Sequence, residues 1–302
     1  MALALRHSPD NREGAESPGN QAARSAPPAA GLEDVQRRAD DRQVAIEQVG
    51  VSGLRYPITV LDKTAERQST VATISLSVGL PHDTKGTHMS RFIEVLEQHR
   101  GELTVRTLPS VLQALKERLD AESARIEVRF PYFLERRAPV SGTPALMDYE
   151  CSFEGEVNGG AADFVLGVGV PVTSLCPCSK EISDYGAHNQ RGHVRIQVRF
   201  SDIVWIEELI EVAEASASAP VYALLKREDE RHLTMHAYDN PVFVEDMVRN
   251  VAVRLRADPR VTWFRVRAEN QESIHNHNAF AQVTWAREDE NTASEKAFTD
   301  RA

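Results

Sequence analysis

The chemistry-bearing residues of this chain concentrate in one run, residues 171–191, PVTSLCPCSKEISDYGAHNQR. It holds two thiols, Cys176 and Cys178, the imidazole of His188, and the cations Lys180 and Arg191. A thiolate and an imidazole are borderline-soft donors that suit zinc and its neighbours. Cys176 and His188 stand twelve residues apart, too far for one helix face and suited to a loop that folds back. A catalytic metal takes three protein ligands and keeps a position for water, whose pKa it lowers. The spacing C-x-C is not the C-x-x-C of a structural zinc ribbon, and no second pair follows. On spacing alone, two small buried hydrophobes remain an equal reading. Cys151, inside a strand-like run, reads as a buried hydrophobe.

Three further clusters could contribute. Glu228-Asp229-Glu230-Arg231-His232 reads as a solvated charge run closing a helix over 221–227. Glu272-Ser273-Ile274-His275-Asn276-His277 places two histidines in a loop between strands, as ligands, acid–base groups, anion contacts or plain surface residues. Glu245 and Asp246 sit on a helix over 242–256, Glu245 at the edge of its apolar face or turned to water.

These groups need a scaffold. Residues 54–61 and 71–80 read as strands; in the second, Ile74, Leu76, Val78 and Leu80 alternate with small residues. Helices follow around Met89–Leu96 and Val111–Leu119, the second opened by Pro109. Strands return at 126–130 and 147–157. The second half gives strands at 162–172 and 194–200, with the polar loop between them. Helices are expected at 205–215, 221–227 and 242–256, the last started by Asn240 and Pro241, then strands at 261–268 and 279–285. The order suggests an α+β fold of two tandem ββααββ-like halves, with antiparallel sheets and helices on one face.

Of the 302 residues, 41% are hydrophobic and 26% charged, the balance of a globular protein. A net charge of −10 argues against a general nucleic-acid binder. No apolar run approaches the roughly 20 residues of a membrane helix. Three cysteines make no disulfide framework and suit a reducing cytoplasm. Residues 1–33 read as a disordered tail, 34–288 as the catalytic region with halves at about 50–158 and 159–288, and 289–302 as a flexible tail.

The run 171–191 closely resembles the signature of type IB GTP cyclohydrolases. The resemblance extends to Val49-Gly50-Val51, Tyr56-Pro57, the stretch Gly86 to Phe92, Leu224 to Arg227 with Glu230, and Glu272 to His277. It implies the tunnelling fold, its barrel completed by homo-oligomerisation, with a dimer of dimers as the expected assembly. It implies conversion of GTP and water to formate and 7,8-dihydroneopterin triphosphate by a metal-activated water. It further implies one divalent metal, zinc, manganese or iron, held by Cys176, His188 and Glu230. In the resemblance Glu245 grips the purine edge and His275 is the acid–base group. His277, Lys180 and Arg191 become substrate contacts, and Cys178 stands near the metal without an assigned role. Two rivals remain: a nitrile reductase of queuosine synthesis, with a cysteine nucleophile and a nicotinamide cofactor, and a non-catalytic metal-binding oligomer. The Cys176, His188 and Glu230 set favours the hydrolase.

Overall fold

Alternation of apolar and polar residues along the strands gives a sheet with one buried face, and the helices lie on that face. The structure, a computed structural model, describes residues 34–99 and 103–287; both expected tails lie outside the described residues. Its first four strands are β1 (Ile46–Asp62), β2 (Glu66–Leu80), β3 (Ser123–Arg137) and β4 (Pro144–Asn158). They are followed by β5 (Ala161–Leu175), β6 (Asn189–Phe200), β7 (Ala219–Pro220), β8 (Val261–Gln271) and β9 (Asn278–Ala286). All pair antiparallel in the order β1-β2-β3-β4-β5-β6-β8-β9, with the two-residue β7 set against β5. The helices are α1 (Met89–Gln98), α2 (Leu108–Leu119), α3 (Pro177–Ile182), α4 (Ile206–Glu214), α5 (Arg227–Asp239) and α6 (Val244–Ala257).

The buried stripe of β2, Ala72, Ile74, Leu76 and Val78, is the one its alternation predicts. Ile126, Val128 and Phe130 of β3, and Val194, Ile196 and Val198 of β6, continue the same face. Phe92 and Leu96 of α1, Val111 and Leu115 of α2, and Met247 and Val251 of α6 close over it. Cys151 is buried in this core, where burial pushes its thiol well above the usual range.

Three expectations need correction. Residues 221–226 are irregular, and the helix begins at Arg227, so the acidic run opens a helix instead of closing one. Glu228, Asp229 and Glu230 occupy its first turn, where carboxylates complement the helix dipole. The run after Leu175 is not all loop: Pro177 starts α3, its missing N–H costing nothing at that position. The last helix begins at Val244, because Asn240 is used elsewhere; its Nδ2 donates to the carbonyls of Ala217 (3.0 Å) and Ser218 (3.3 Å).

A buried polar knot ties the first hairpin to α4. Tyr132 Oη lies 2.9 Å from Asp62 Oδ2 and 2.7 Å from Glu207 Oε1. Asp62 Oδ1 also accepts from the backbone N–H of Thr64 and Ala65 (2.8 and 2.7 Å), and Glu207 Oε1 accepts from Lys63 N–H (2.8 Å). Burial and the two carboxylates push the Tyr132 phenol far above its usual range, so it stays a proton donor. Tyr132→Phe strips this buried donor from both carboxylates, at a cost of about 1–3 kcal/mol. A lowered urea midpoint with an unchanged slope checks it; an unshifted midpoint refutes the knot's role.

Candidate functional site

The site is built where β5 hands over to α3. The β5–β6 ladder ends at Leu175 opposite Asn189, and one more backbone bond, Cys176 N–H to the His188 carbonyl at 3.1 Å, brings the two donors together. Ser179 locks the loop from inside: its Oγ donates to the Cys176 carbonyl (3.2 Å) and accepts from His188 N–H (3.2 Å). Cys176 is the N-cap of α3, and its Sγ accepts from Ser179 N–H at 3.4 Å. That contact fixes the direction of the sulfur, the atom that would ligate a metal. His188 Nδ1 lies 3.2 Å from Ser273 Oγ, which orients the ring and leaves Nε2 without a hydrogen-bond partner among the described residues.

Cys176 and His188 border a cavity of about 280 Å³. Glu245, from the first turn of α6, and His275 and His277, from the β8–β9 connection, line the same cavity. The two histidine rings stack with centroids 5.2 Å apart. Ser174, Gln190 and Asn270 form its inner wall. Ser174 Oγ donates to the Val242 carbonyl (3.1 Å) and so accepts from Asn270 Nδ2 (3.1 Å). Gln190 Nε2 donates to Glu272 Oε1 (3.3 Å). These partners fix both amides and leave Gln190 Oε1 and Asn270 Oδ1 as buried acceptors without a partner among the described residues. Gly192 is required beside them, since a Cβ there would meet Asn270 Oδ1 at 2.8 Å.

A model of the type I GTP cyclohydrolase FolE2 matches residues 32–281, which contain every residue of this cavity. The GTP cyclohydrolase FolE2 of Syntrophotalea carbinolica is 55% identical over 254 residues, 84% of this chain and 95% of that protein. The Magnetococcus marinus protein of the same name is 56% identical over 252 residues, 83% of this chain and 95% of its own length. The chain belongs to the FolE2 family of type I GTP cyclohydrolases. A uricase from Bacillus fastidious is similar in fold, with a TM-score of 0.50, 11% identity, and coverage of 83% of this chain and 96% of that one.

Not every expected residue of the FolE2 signature reaches the cavity. Arg191 neighbours Gln190 on β6 and therefore points to the opposite face of the sheet. There it borders a second cavity, of about 670 Å³, with His193, Arg195 and Arg267. Lys180 turns to α5, where Nζ donates to the Tyr238 carbonyl and lies 4.2 Å from the centre of its ring. Cys178 is exposed on α3 and Glu230 is exposed on α5; neither lines the cavity of Cys176. Among the described residues no group of three or more His, Cys, Asp or Glu stands ready to hold a metal. Ser174, Ser179, Gln190 and Asn270 carried no signal of their own in the sequence, because serines and amides have no diagnostic spacing.

Glu230 is positioned through its neighbour. Asp229 is fully buried and accepts from the N–H groups of Val140 (2.8 Å), Ser141 (2.9 Å) and Lys226 (2.9 Å) and from Ser141 Oγ (2.7 Å). Burial alone would raise this carboxyl; the hydrogen bonds outweigh it and hold the group well below the usual aspartate range. A depressed folded pKa gives stability that is present above the unfolded value of about 3.9 and lost as pH falls toward the folded one. The stability gap between the wild type and Asp229→Asn is thus widest above about pH 5 and narrows below about pH 4. Urea melts across that range test this; a gap independent of pH would show that the charge of Asp229 is not what holds α5.

Proposed function

We propose that this chain is a GTP cyclohydrolase that converts GTP and water to formate and 7,8-dihydroneopterin triphosphate. The observation that carries the reading is the single cavity bordered by Cys176, His188, Glu245, His275 and His277, inside a FolE2 match spanning residues 32–281. The donor chemistry fits a divalent metal: a thiol capped by a backbone N–H and an imidazole whose Nδ1 is engaged by Ser273. Cys176 and His188 would hold the ion, with zinc, manganese or iron all compatible; Glu230, exposed on α5 outside their cavity, is the third ligand that the resemblance implies and would have to be brought to them. An ion bound there would lower the pKa of a bound water and so make hydroxide available near neutral pH.

The remaining roles belong to the chain. The Glu245 carboxylate accepts two parallel hydrogen bonds from guanine N1–H and the 2-amino group. His275 delivers a proton to guanine N7 as the imidazole ring of the base opens. Gln190 Oε1 and Asn270 Oδ1 offer neutral acceptors to substrate N–H or O–H groups, which repays their buried, unpartnered state. His277, which lines the cavity, is a further substrate contact; Lys180 and Arg191, the cations expected at the triphosphate, lie outside it and would reach the substrate only beyond its rim. The chain is read as a bimodular tunnelling fold, with halves at 50–158 and 159–288, acting in the cytoplasm as a homo-oligomer. The open edges of its sheet, β1 and β9, support that reading, since strand edges seek partners. No helix among the described residues is long and apolar enough to cross a membrane.

Chelation should silence formate and neopterin production, and zinc or manganese should restore it. Partners of metal ligands cost about 10–100-fold when removed, so Cys176→Ala should cost more than about 100-fold in turnover while the protein stays folded. Full turnover in that variant, or no product with any metal, overturns the reading. Glu245→Gln loses a charge-assisted pair of hydrogen bonds and should raise the KM for GTP about tenfold or more. An unchanged KM removes Glu245 from the purine site.

A further inference from the structure

Helix α5 carries a second set of metal-binding groups that the cavity does not use. His232 and His236 stand one turn apart on its surface, the i, i+4 spacing that puts side chains of one helix face side by side. Their rings stack with centroids 6.1 Å apart and planes within 7° of parallel. Both residues are exposed, and among the described residues neither ring nitrogen has a hydrogen-bond partner. Neither borders the cavity of Cys176 and His188.

We propose that His232 and His236 form a surface chelate for a borderline divalent transition cation of the Zn²⁺, Ni²⁺ or Cu²⁺ class. Two imidazoles at i and i+4 of a helix are the pair that holds zinc in helical H-E-x-x-H sites. Imidazole nitrogen selects these ions over Mg²⁺ and Ca²⁺, which demand oxygen ligands. The rings lie side by side, so modest side-chain rotations aim one nitrogen of each at a common ion. The backbone beneath them is held at both ends: Asp229 fixes the first turn of α5, and Lys180 engages Tyr238 in the last. Little ordering is left for the ion to impose, which favours chelation. Glu228, one turn before His232, adds a negative charge to the same exposed face. With no third ligand in place among the described residues, water completes the shell, and the site is weaker than a three-ligand centre.

The test is calorimetric titration of the chelator-stripped, untagged full chain with Ni²⁺. The wild type should take up one more Ni²⁺ per chain than the His232→Ala/His236→Ala double variant. His236→Ala alone should weaken that class of binding about tenfold or more, one of its two ligands being gone. Cys176→Ala should retain it, which separates this site from the cavity. Both histidines are exposed, and an unchanged circular dichroism spectrum verifies that the variants fold. Equal stoichiometry and affinity in wild type and double variant would overturn the chelate and leave the rings as simple surface stacking.

Discussion

The pairing of β5 with β6 governs the site. It runs from Leu166 opposite Val198 to Leu175 opposite Asn189, and the Cys176 N–H to His188 carbonyl bond extends it one step. Because the ladder is antiparallel, residues far apart in sequence arrive at one level, a thiol from one strand end and an imidazole from the next. Because side chains alternate, the same register decides what enters the cavity: Gln190 lines it, while Arg191 cannot without leaving its face. A slip of one residue would exchange the two and take His188 away from Cys176.

Much of this was legible in the sequence. Eight of the strands were expected, three of them from clear period-two alternation, and the buried stripe of β2 is the one its alternation names. The concentration of donors between two strands pointed to the loop, and Glu245, His275 and His277 share its cavity. What failed was local competition. The apolar run 221–225 looked helical, yet Asp229 draws the Lys226 N–H and the turn at 140–141 to itself, so the helix starts later. Asn240 looked like a helix start, but its amide serves two carbonyls of the preceding loop. The bonds from the 140–141 turn to Asp229 and from Asn240 to the 217–218 loop are long-range, which no local pattern encodes.

The two polar knots share a logic. Tyr132, Asp62 and Glu207 bind the β1–β2 turn to α4; Asp229 and Ser141 bind the β3–β4 turn to α5. Asp62 in the first and Asp229 in the second are each met by several donors, the condition under which burial of charge is tolerable, while Glu207 keeps one buried oxygen, Oε2, without a partner among the described residues. The apolar stripes supply the bulk of the packing, and these knots set where its helices begin. Arg136 and Glu214, paired within the core face and joined by Tyr149, repeat the pattern between β3 and α4.

The Asp229–Ser141 contact spans 88 residues of sequence and ends one residue short of Glu230. A change at the hairpin tip therefore reaches α5 without touching any cavity residue. The two ends are unequal: loss of the Ser141 hydroxyl leaves Asp229 three backbone donors, whereas loss of the carboxylate leaves the turn and the helix start with no acceptor. The hairpin tip and the start of α5 thus form one mechanical unit, anchored on a single side chain.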